Sequence, residues 1–435
     1  MNKSPYVALL LAFAVVCPFA QAQTIRLAPS HSNGVYAIGE QVIWNVTVEG
    51  GDPNTVAGSH YKVSLGGGKI LAQGDLDLSK GVAQIVYNAD QAVSYLAEVT
   101  ATIDGKLTKS YGGAVAAPDR VTPSMPRPAD FDAFWASKIA ELRAVAPDPV
   151  VERGDSGVQG VVYETVTLAN VGGARIHAQI AYPENGKHLP AEITLQWAGV
   201  YALPKTNVTN LARQGWFAVD VMAHDLPLNM PADFYVNAGN TTLKNYPAFG
   251  KDDRNTSYFL KMVLGDVRVA DYVRTRPEWD GKTLVALGTS QGGFQTIALA
   301  GLYPQITEAM ALVPACCDQT ATLVGRGPCW PNWLGRQTDT NASALKEACR
   351  YYDSVNFAAK IHVPTLVGIG LIDVTSTPTG DLAMANQLAG PKEVVLLPLS
   401  NHHGDGNTQA AYNVRLNEWL NAIKAGRQPD VRGAN

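Results

Sequence analysis

One short stretch restricts the fold of this chain more than any other part of its sequence. The apolar run Leu284–Leu287 leads into Gly288-Thr289-Ser290-Gln291-Gly292, and a second apolar run, Thr296–Leu302, follows. A strand, a sharp turn and a helix in this order, with a serine between glycines in G-x-S-x-G spacing, are typical of a nucleophile elbow. The glycines let neighbouring backbone approach a strained serine closely. The stretch therefore predicts that Ser290 stands exposed at the end of a strand as a nucleophile.

The chain supplies the two partners that a nucleophilic serine needs, and in the expected order. A serine hydroxyl requires a base within hydrogen-bond reach and an acid that orients the base. Asp373 follows a predicted strand, residues 365–370, and is a candidate for the acid. His402 and His403 follow the next predicted strand and are the histidines downstream of Asp373, so one of them is the expected base. Neither has the spacing to other ligands that a metal site requires, so no metal or cofactor is expected.

An ester or amide hydrolase also needs donors for the oxyanion that forms when the serine attacks. The backbone N–H of Gln291, directly after the serine, is the expected first donor. A second N–H usually comes from the loop after an early strand, which here is Ala198-Gly199-Val200-Tyr201. Gly199 would let this loop turn its amides toward the site, so the Val200 N–H is the candidate second donor.

From about residue 163 onward, predicted strands and helices alternate along the chain. This order predicts a doubly wound, mostly parallel sheet covered by helices on both faces, the α/β-hydrolase arrangement, over residues 129–427. A helix over residues 129–145, with Phe131, Phe134, Trp135, Ile139 and Leu142 near helical spacing, opens this domain. The resulting fold class is α/β.

The chain before this domain has a different pattern. Residues 24–117 contain short alternating segments, such as Val42–Val48 and Val93–Ile103, separated by Gly, Asp and Asn clusters. They predict an all-β, Ig-like sandwich. It is either a structural cap, which the lack of any catalytic constellation favours, or a module that binds carbohydrate or a partner. A Pro-rich segment, residues 118–128, is the predicted linker.

The first residues predict export. Met1-Asn2-Lys3, an apolar stretch and Ala20-Gln21-Ala22 resemble a secretory signal over residues 1–22 that is removed after Ala22, to give a periplasmic or secreted protein. No later stretch is long and apolar enough to span a membrane. The formal net charge of −4 and the absence of basic runs argue against nucleic-acid binding.

Removal of the signal leaves four cysteines within one region. In an exported protein, Cys316, Cys317, Cys329 and Cys349 permit two disulfides. A bridge between adjacent cysteines is sterically poor, so Cys316 and Cys317 are each expected to pair with Cys329 or Cys349, in an order left open.

Four segments together resemble the acetyl xylan esterase and cephalosporin C deacetylase family of carbohydrate esterases. In chain order they are Pro128-Ala129-Asp130-Phe131-Asp132-Ala133-Phe134-Trp135, Gly288-Thr289-Ser290-Gln291-Gly292-Gly293, Val313-Pro314-Ala315-Cys316-Cys317-Asp318, and Tyr352-Asp353-Ser354-Val355-Asn356-Phe357-Ala358 with Gly370-Leu371-Ile372-Asp373. The resemblance runs from about Pro126 to the final helix. It implies Ser290 as nucleophile, Asp373 as acid, His402 rather than His403 as base, and oxyanion donors from Gln291 and Val200.

Two segments differ from the family pattern. The family loop H-G-Y corresponds to Ala198-Gly199-Val200, and the motif R-G-Q-G is replaced by Met222-Ala223-His224-Asp225. These changes bear on substrate identity more than on the type of reaction.

The predicted function is a secreted serine esterase that removes acetyl groups from xylan or oligosaccharides through an acyl-enzyme. The alternatives are another ester, an amide or a peptide bond as substrate, or a non-catalytic glycan-binding protein. The oligomeric state is left open.

Overall fold

The structure, a computed structural model, describes residues 22–335 and 342–433. The predicted secretory signal therefore lies outside the described residues except for Ala22. Among the described residues, none of the helices combines the length and apolar composition that crossing a membrane requires.

The N-terminal part consists of two facing sheets. Their strand orders are β1-β3-β6 and β2-β8-β7-β4-β5. Alternation decides which side chains lie between them: in β3, Val42, Trp44 and Val46 are buried, and their neighbours are more exposed. The eight strands are β1 Thr24–Pro29, β2 Val35–Tyr36, β3 Gln41–Glu49, β4 Ala57–Leu65, β5 Ile70–Asp75, β6 Val82–Asn88, β7 Ser94–Ile103 and β8 Lys106–Ala116.

The C-terminal part is built on a nine-stranded sheet in the order β17-β16-β15-β14-β12-β13-β11-β10-β9. Strands β12 to β17 pair in parallel, and β9, β10, β11 and β13 pair with antiparallel neighbours. The strands are β9 Val150–Gly154, β10 Val161–Ala169, β11 Arg175–Pro183, β12 Leu189–Leu195, β13 Phe217–Met222, β14 Trp279–Thr289, β15 Glu308–Leu312, β16 Thr365–Gly370 and β17 Lys392–Leu397.

Helices cover both faces of this sheet, and a separate apolar cluster forms on each face. The continuous burial of β13 and β16 is what a parallel strand covered on both sides requires. The α/β-hydrolase fold class is thus confirmed. The helices are α1 Phe131–Ala144, α2 Thr206–Ala212, α3 Ala232–Asn240, α4 Tyr258–Val273, α5 Gln291–Leu302, α6 Ala342–Cys349, α7 Ser354–Ala358, α8 Pro378–Gln387 and α9 Ala410–Lys424.

The predicted linker is bonded to the C-terminal part along its length. Ser124 N–H donates to the Asp318 carboxylate at 2.9 Å, and Arg127 Nε donates to the Asn356 carbonyl at 2.9 Å. The Asn386 side chain donates to the carbonyls of Pro118 and Val121 at 2.8 and 3.0 Å. The segment is therefore a fixed strap and not a flexible spacer.

The two parts share a close interface. Backbone hydrogen bonds join the end of β4 and the loop after it to residues 325–327 of the C-terminal part. Lys69 N–H donates to the Gly325 carbonyl at 2.7 Å, and Gly327 N–H donates to the Leu65 carbonyl at 2.9 Å. A Cβ atom on Gly113 of β8 would lie 2.1 Å from the carbonyl oxygen of Leu371, two residues before Asp373. The β-sheet part therefore packs directly behind the predicted catalytic acid.

Candidate active site

Ser290 lies between β14 and α5 in a backbone conformation that is rare for any residue except glycine, with φ of 58° and ψ of −120°. Backbone bonds hold it there: its N–H donates to the Leu312 carbonyl at 2.9 Å, and its carbonyl accepts from Ala315 N–H at 2.9 Å. A Cβ atom on Gly288 would lie 2.4 Å from the Gly292 backbone, and one on Gly292 would lie 2.1 Å from the Leu195 carbonyl oxygen. The glycines of the G-x-S-x-G motif are thus required by backbone packing at the turn.

The structure brings Ser290, His402 and Asp373 into one hydrogen-bonded chain. His402 Nε2 lies 2.8 Å from Ser290 Oγ, and His402 Nδ1 lies 2.7 Å from Asp373 Oδ2. The three residues follow strands β14, β17 and β16, whose carboxyl ends meet at one edge of the parallel sheet. His403, the other predicted candidate for the base, is exposed and has neither contact.

The hydrogen bonds of Asp373 determine which ring nitrogen of His402 carries the proton. Asp373 is 1% exposed. Its Oδ1 accepts from the backbone N–H groups of Thr375 and Ser376 at 2.7 and 2.9 Å, which turns Oδ2 toward His402. A carboxylate oxygen only accepts, so we place the imidazole proton on Nδ1. Nε2 is then free to accept the proton of the Ser290 hydroxyl.

A second buried carboxyl, Asp381 of α8, lies near this chain of residues. Burial, and then the charge of Asp373, raise the pKa of Asp381 well above its usual range. Burial and this neighbouring carboxylate therefore both favour the neutral form of Asp381.

The loop that holds the predicted second oxyanion donor is fixed from behind by two side chains. Gly199 has a φ of 121°, and its carbonyl accepts a hydrogen bond from His224 Nε2 at 2.9 Å. His224 Nδ1 in turn lies 2.8 Å from the Tyr258 hydroxyl. Burial lowers the pKa of His224 to about 4, so this histidine is neutral and donates from Nε2. His224 stands where the resembled family has its R-G-Q-G motif, and it supports the loop instead.

Tyr246 connects the two halves of the predicted oxyanion hole. Its hydroxyl donates to Gln291 Oε1 at 2.5 Å and accepts from the Gly199 N–H at 3.3 Å. The Gln291 backbone N–H stands at the N-terminus of α5, where the helix dipole favours negative charge. Val200 lies beside Gly239 of α3, and a Cβ atom on Gly239 would be 3.2 Å from Val200 Cβ. The donation of the Val200 amide to an oxyanion stays a prediction.

Ser290 opens into a cavity of about 530 Å³. This is the range of volumes that binds small ligands. Most of the residues that line this cavity were not predicted from the sequence, because their side chains come from separate loops with no shared motif. The lining residues are Trp197, Ala198, Thr289, Ser290, Trp330, Thr375, His402, His403 and Gln409.

The predicted disulfides are not formed in the structure. Cys316, Cys317, Cys329 and Cys349 are all free, buried thiols within the main hydrophobic cluster. The Cys317 N–H donates to the Cys329 sulfur at 3.3 Å. Burial raises the pKa of all four thiols well above the usual range, so in the folded protein they are small, neutral core side chains. The four thiols instead pack in the core behind the active site.

The sequence of this chain is similar to those of known esterases. The sequence profile of a family described as acetyl xylan esterase (AXE1) matches residues 119–422. The acetyl esterase Axe7A of Xylanibacter ruminicola is 26% identical over 381 residues, which cover 86% of this chain and 85% of that protein.

Two solved structures have a similar fold. An acetyl xylan esterase from Paenibacillus sp. R4 is 23% identical with a TM-score of 0.57 and covers 69% of this chain and 98% of its own. Acetyl xylan esterase 1 from Thermoanaerobacterium sp. JW/SL YS485 is 23% identical with a TM-score of 0.56 and covers 69% of this chain and 97% of its own.

Proposed function

This chain belongs to the acetyl xylan esterase family and is a carboxylic ester hydrolase, and from that premise we propose that it removes acetyl groups from acetylated xylan or oligosaccharides. The observation that carries the proposal is the hydrogen-bonded chain Ser290–His402–Asp373 at the floor of a cavity open to a substrate. The reaction requires no metal or cofactor in this scheme.

The proposed mechanism begins with proton transfer from Ser290 Oγ to His402 Nε2 as the oxygen attacks the acetyl carbonyl carbon. Asp373 keeps the Nδ1 proton in place and stabilises the imidazolium that forms. The carbonyl oxygen becomes an oxyanion, which the Gln291 and Val200 N–H groups and the N-terminus of α5 stabilise.

The tetrahedral intermediate then breaks down in the forward direction. The bond between the acyl carbon and the sugar oxygen breaks, and His402 gives its proton to that oxygen, so that the alcohol leaves. Water enters, loses a proton to His402 and attacks the acetyl-enzyme. The bond between the acyl carbon and Ser290 Oγ then breaks, His402 returns its proton to Oγ, and acetate leaves, which restores the Ser290 hydroxyl.

A paired substitution of the adjacent histidines tests this scheme. His402→Ala is expected to lower kcat with a chromogenic acetate by about 10⁴-fold or more, because the base is lost. His403→Ala is the matched control and is expected to cost less than about tenfold, since His403 contacts neither Ser290 nor Asp373. Similar losses in both variants would contradict the proposal.

The covalent step has its own test. Wild-type enzyme mixed with a chromogenic acetate is expected to release one burst of alcohol per site, and mass spectrometry of the quenched enzyme should find an acetyl group on the peptide that contains Ser290. Ser290→Ala should show neither. Full activity of Ser290→Ala would refute the mechanism. Rates for acetate, butyrate and aryl-amide substrates distinguish a deacetylase from an esterase or amidase with another acyl preference.

We also propose that the protein is exported after cleavage behind Ala22. The signal-like composition of the first residues supports this, and β1 begins at Thr24, directly after the proposed cut. The N-terminal sequence of the mature protein from a cell fraction or the medium should begin at Gln23. A mature protein that retains Met1-Asn2-Lys3 would contradict the proposal.

A further inference from the structure

The second oxyanion donor of the proposed mechanism depends on how one peptide unit is turned. The Gly199 carbonyl and the Val200 N–H belong to the same peptide, and a planar trans peptide directs these two groups to opposite sides. Gly199 has a φ of 121° and no β-carbon, so its own side of this peptide offers little resistance to rotation. A group that fixes the Gly199 carbonyl therefore also fixes the direction of the Val200 N–H.

The polar groups of the loop are held unequally. The Gly199 carbonyl accepts from His224 Nε2 at 2.9 Å, and the Gly199 N–H donates to the Tyr246 hydroxyl at 3.3 Å. No hydrogen bond within the part of the chain that the structure describes uses the Val200 N–H. Val200 is half-buried, and Ala198 of the same loop lines the active-site cavity. The N–H that an oxyanion needs is thus free, whereas both backbone polar groups of Gly199 are bonded.

The ring of His224 is held in one orientation. The residue is 1% exposed, and its ring packs edge-on against Tyr246 with the centroids 4.7 Å apart. Burial lowers the pKa of His224 to about 4, so only one of its ring nitrogens carries a proton at neutral pH. A carbonyl only accepts, so that proton is on Nε2. His224 Nδ1, which lies 2.8 Å from the Tyr258 hydroxyl, then accepts a hydrogen bond from Tyr258.

We propose that His224 is a positioning residue for the reaction: it holds the Gly199 carbonyl and thereby turns the Val200 N–H toward the oxyanion. Tyr258 fixes the tautomer of His224 that can do this, as the triad acid does for the triad base. The hydrogen bond to the carbonyl also polarises the shared peptide, which makes its N–H a stronger donor. The inference rests on the proposed function, because an oxyanion forms at this place only when Ser290 attacks a carbonyl.

Two substitutions at the same position test this role. His224→Leu removes the donor to the Gly199 carbonyl, so kcat for a chromogenic acetate is expected to fall by roughly tenfold to a hundredfold, with KM changed by less than about twofold. His224→Gln has a side-chain NH₂ group that can donate to the same carbonyl, and it is expected to recover most of kcat. Equal losses of kcat in the two variants would overturn the proposal.

Inhibition by trifluoroacetone provides a readout that loosened packing alone would not change. Ser290 Oγ adds to its carbonyl carbon, the serine proton passes to His402, and the carbonyl oxygen becomes a stable analogue of the oxyanion. The inhibition constant of His224→Leu should therefore rise by about the same factor as kcat/KM falls. A loss of folded enzyme would instead reduce the size of the burst of alcohol with a chromogenic acetate.

His177→Leu is the matched control. His177 is also a buried histidine, and it bonds Thr167 and Asp225 rather than the loop at Gly199. The control is expected to leave kcat and the inhibition constant of trifluoroacetone unchanged. A loss of kcat as large as that of His224→Leu would show that any buried histidine of this region has the same effect, and it would overturn the proposal.

The remaining outcomes also decide the matter. Values of kcat and of the inhibition constant for His224→Leu within about twofold of the wild type would overturn the proposal. If His224→Leu does not fold, Tyr258→Phe takes its place: it removes only a hydroxyl, kcat should fall by roughly threefold or more, and wild-type values would contradict the inference. In each case wild-type turnover of the chromogenic acetate leaves the serine esterase mechanism standing, whereas its absence refutes the proposed function itself.

Discussion

Replacement of Asp373 by Asn should almost abolish activity although the two side chains have nearly the same shape. The reason lies in the two backbone donors, Thr375 N–H and Ser376 N–H, that bond one carboxylate oxygen. An asparagine must keep its amide oxygen toward these donors, because its NH₂ group would meet them donor to donor. The NH₂ group then faces His402.

An NH₂ group at this place forces the wrong tautomer on His402. It donates to Nδ1, so the imidazole proton moves to Nε2, which lies 2.8 Å from Ser290 Oγ. Nε2 can then no longer accept the serine proton. A triad with this fault loses about 10⁴-fold in kcat, which corresponds to about 5 kcal/mol of transition-state stabilisation.

The measurement is kcat for a chromogenic acetate at pH 7, with circular dichroism and thermal unfolding of the same samples. The unfolding temperature should change little, because Asp373→Asn keeps both backbone hydrogen bonds. Asp405→Asn is a suitable control, since Asp405 is an exposed aspartate that bonds Asn401 beside His402. The reasoning fails if Asp373→Asn keeps more than about a tenth of wild-type kcat.

Three further outcomes follow from other parts of the structure. Tyr246→Phe removes the hydroxyl that joins Gln291 to the neighbouring loop, so kcat for a chromogenic acetate should fall by roughly tenfold with a smaller change in KM. Burial raises the pKa of Glu192 to about 8, so the folded state holds a proton that the unfolded chain releases, and stability falls as pH rises from about 4.5 to 8. Glu192→Gln should therefore raise the unfolding temperature by a few degrees at pH 7, and calorimetry at pH 5 should find a much smaller gain. Gly113→Ala would place a methyl group 2.1 Å from the Leu371 carbonyl oxygen, so both the unfolding temperature and kcat should fall, and wild-type values for both would contradict the described interface.

Much of the fold could be predicted from the sequence because the central strands carry a strong signal. The strand Thr365–Gly370 agrees with its predicted bounds to the residue, since an apolar run flanked by polar loops is clear. The edge strand β9, Val150–Gly154, is exposed along its whole length and was missed, because such a strand has no hydrophobic period. The helices α3 and α6 were missed for a related reason, as each buries few residues.

The same difference separates the residues of the functional site that could be predicted from those that could not. Residues in a local motif or directly after a clear strand could be predicted, and the structure brings Ser290, Asp373 and His402 together. Tyr246 and His224 were not predicted as parts of the site, because their contacts depend on how distant loops fold. Trp197 and Trp330, which line the cavity at Ser290, were not predicted either, since no spacing in the sequence connects them.

The cysteine prediction was wrong for a different reason. An even number of cysteines in a chain with a predicted signal allows disulfides, but the count carries no information on burial. Cys316 and Cys317 follow β15 and enter the apolar cluster beneath the site, where small apolar side chains are needed for packing.

The interface between the β-sheet part and the acid loop also determines when the enzyme can become active during synthesis. Ser94 bonds Thr379, a residue that leaves the ribosome 285 positions later. At the usual rates of translation this is a delay of roughly a quarter of a minute to a minute. The surface that packs behind Asp373 thus remains uncovered until nearly the whole polypeptide exists, and a nascent chain that stops short of α8 exposes that surface and lacks His402.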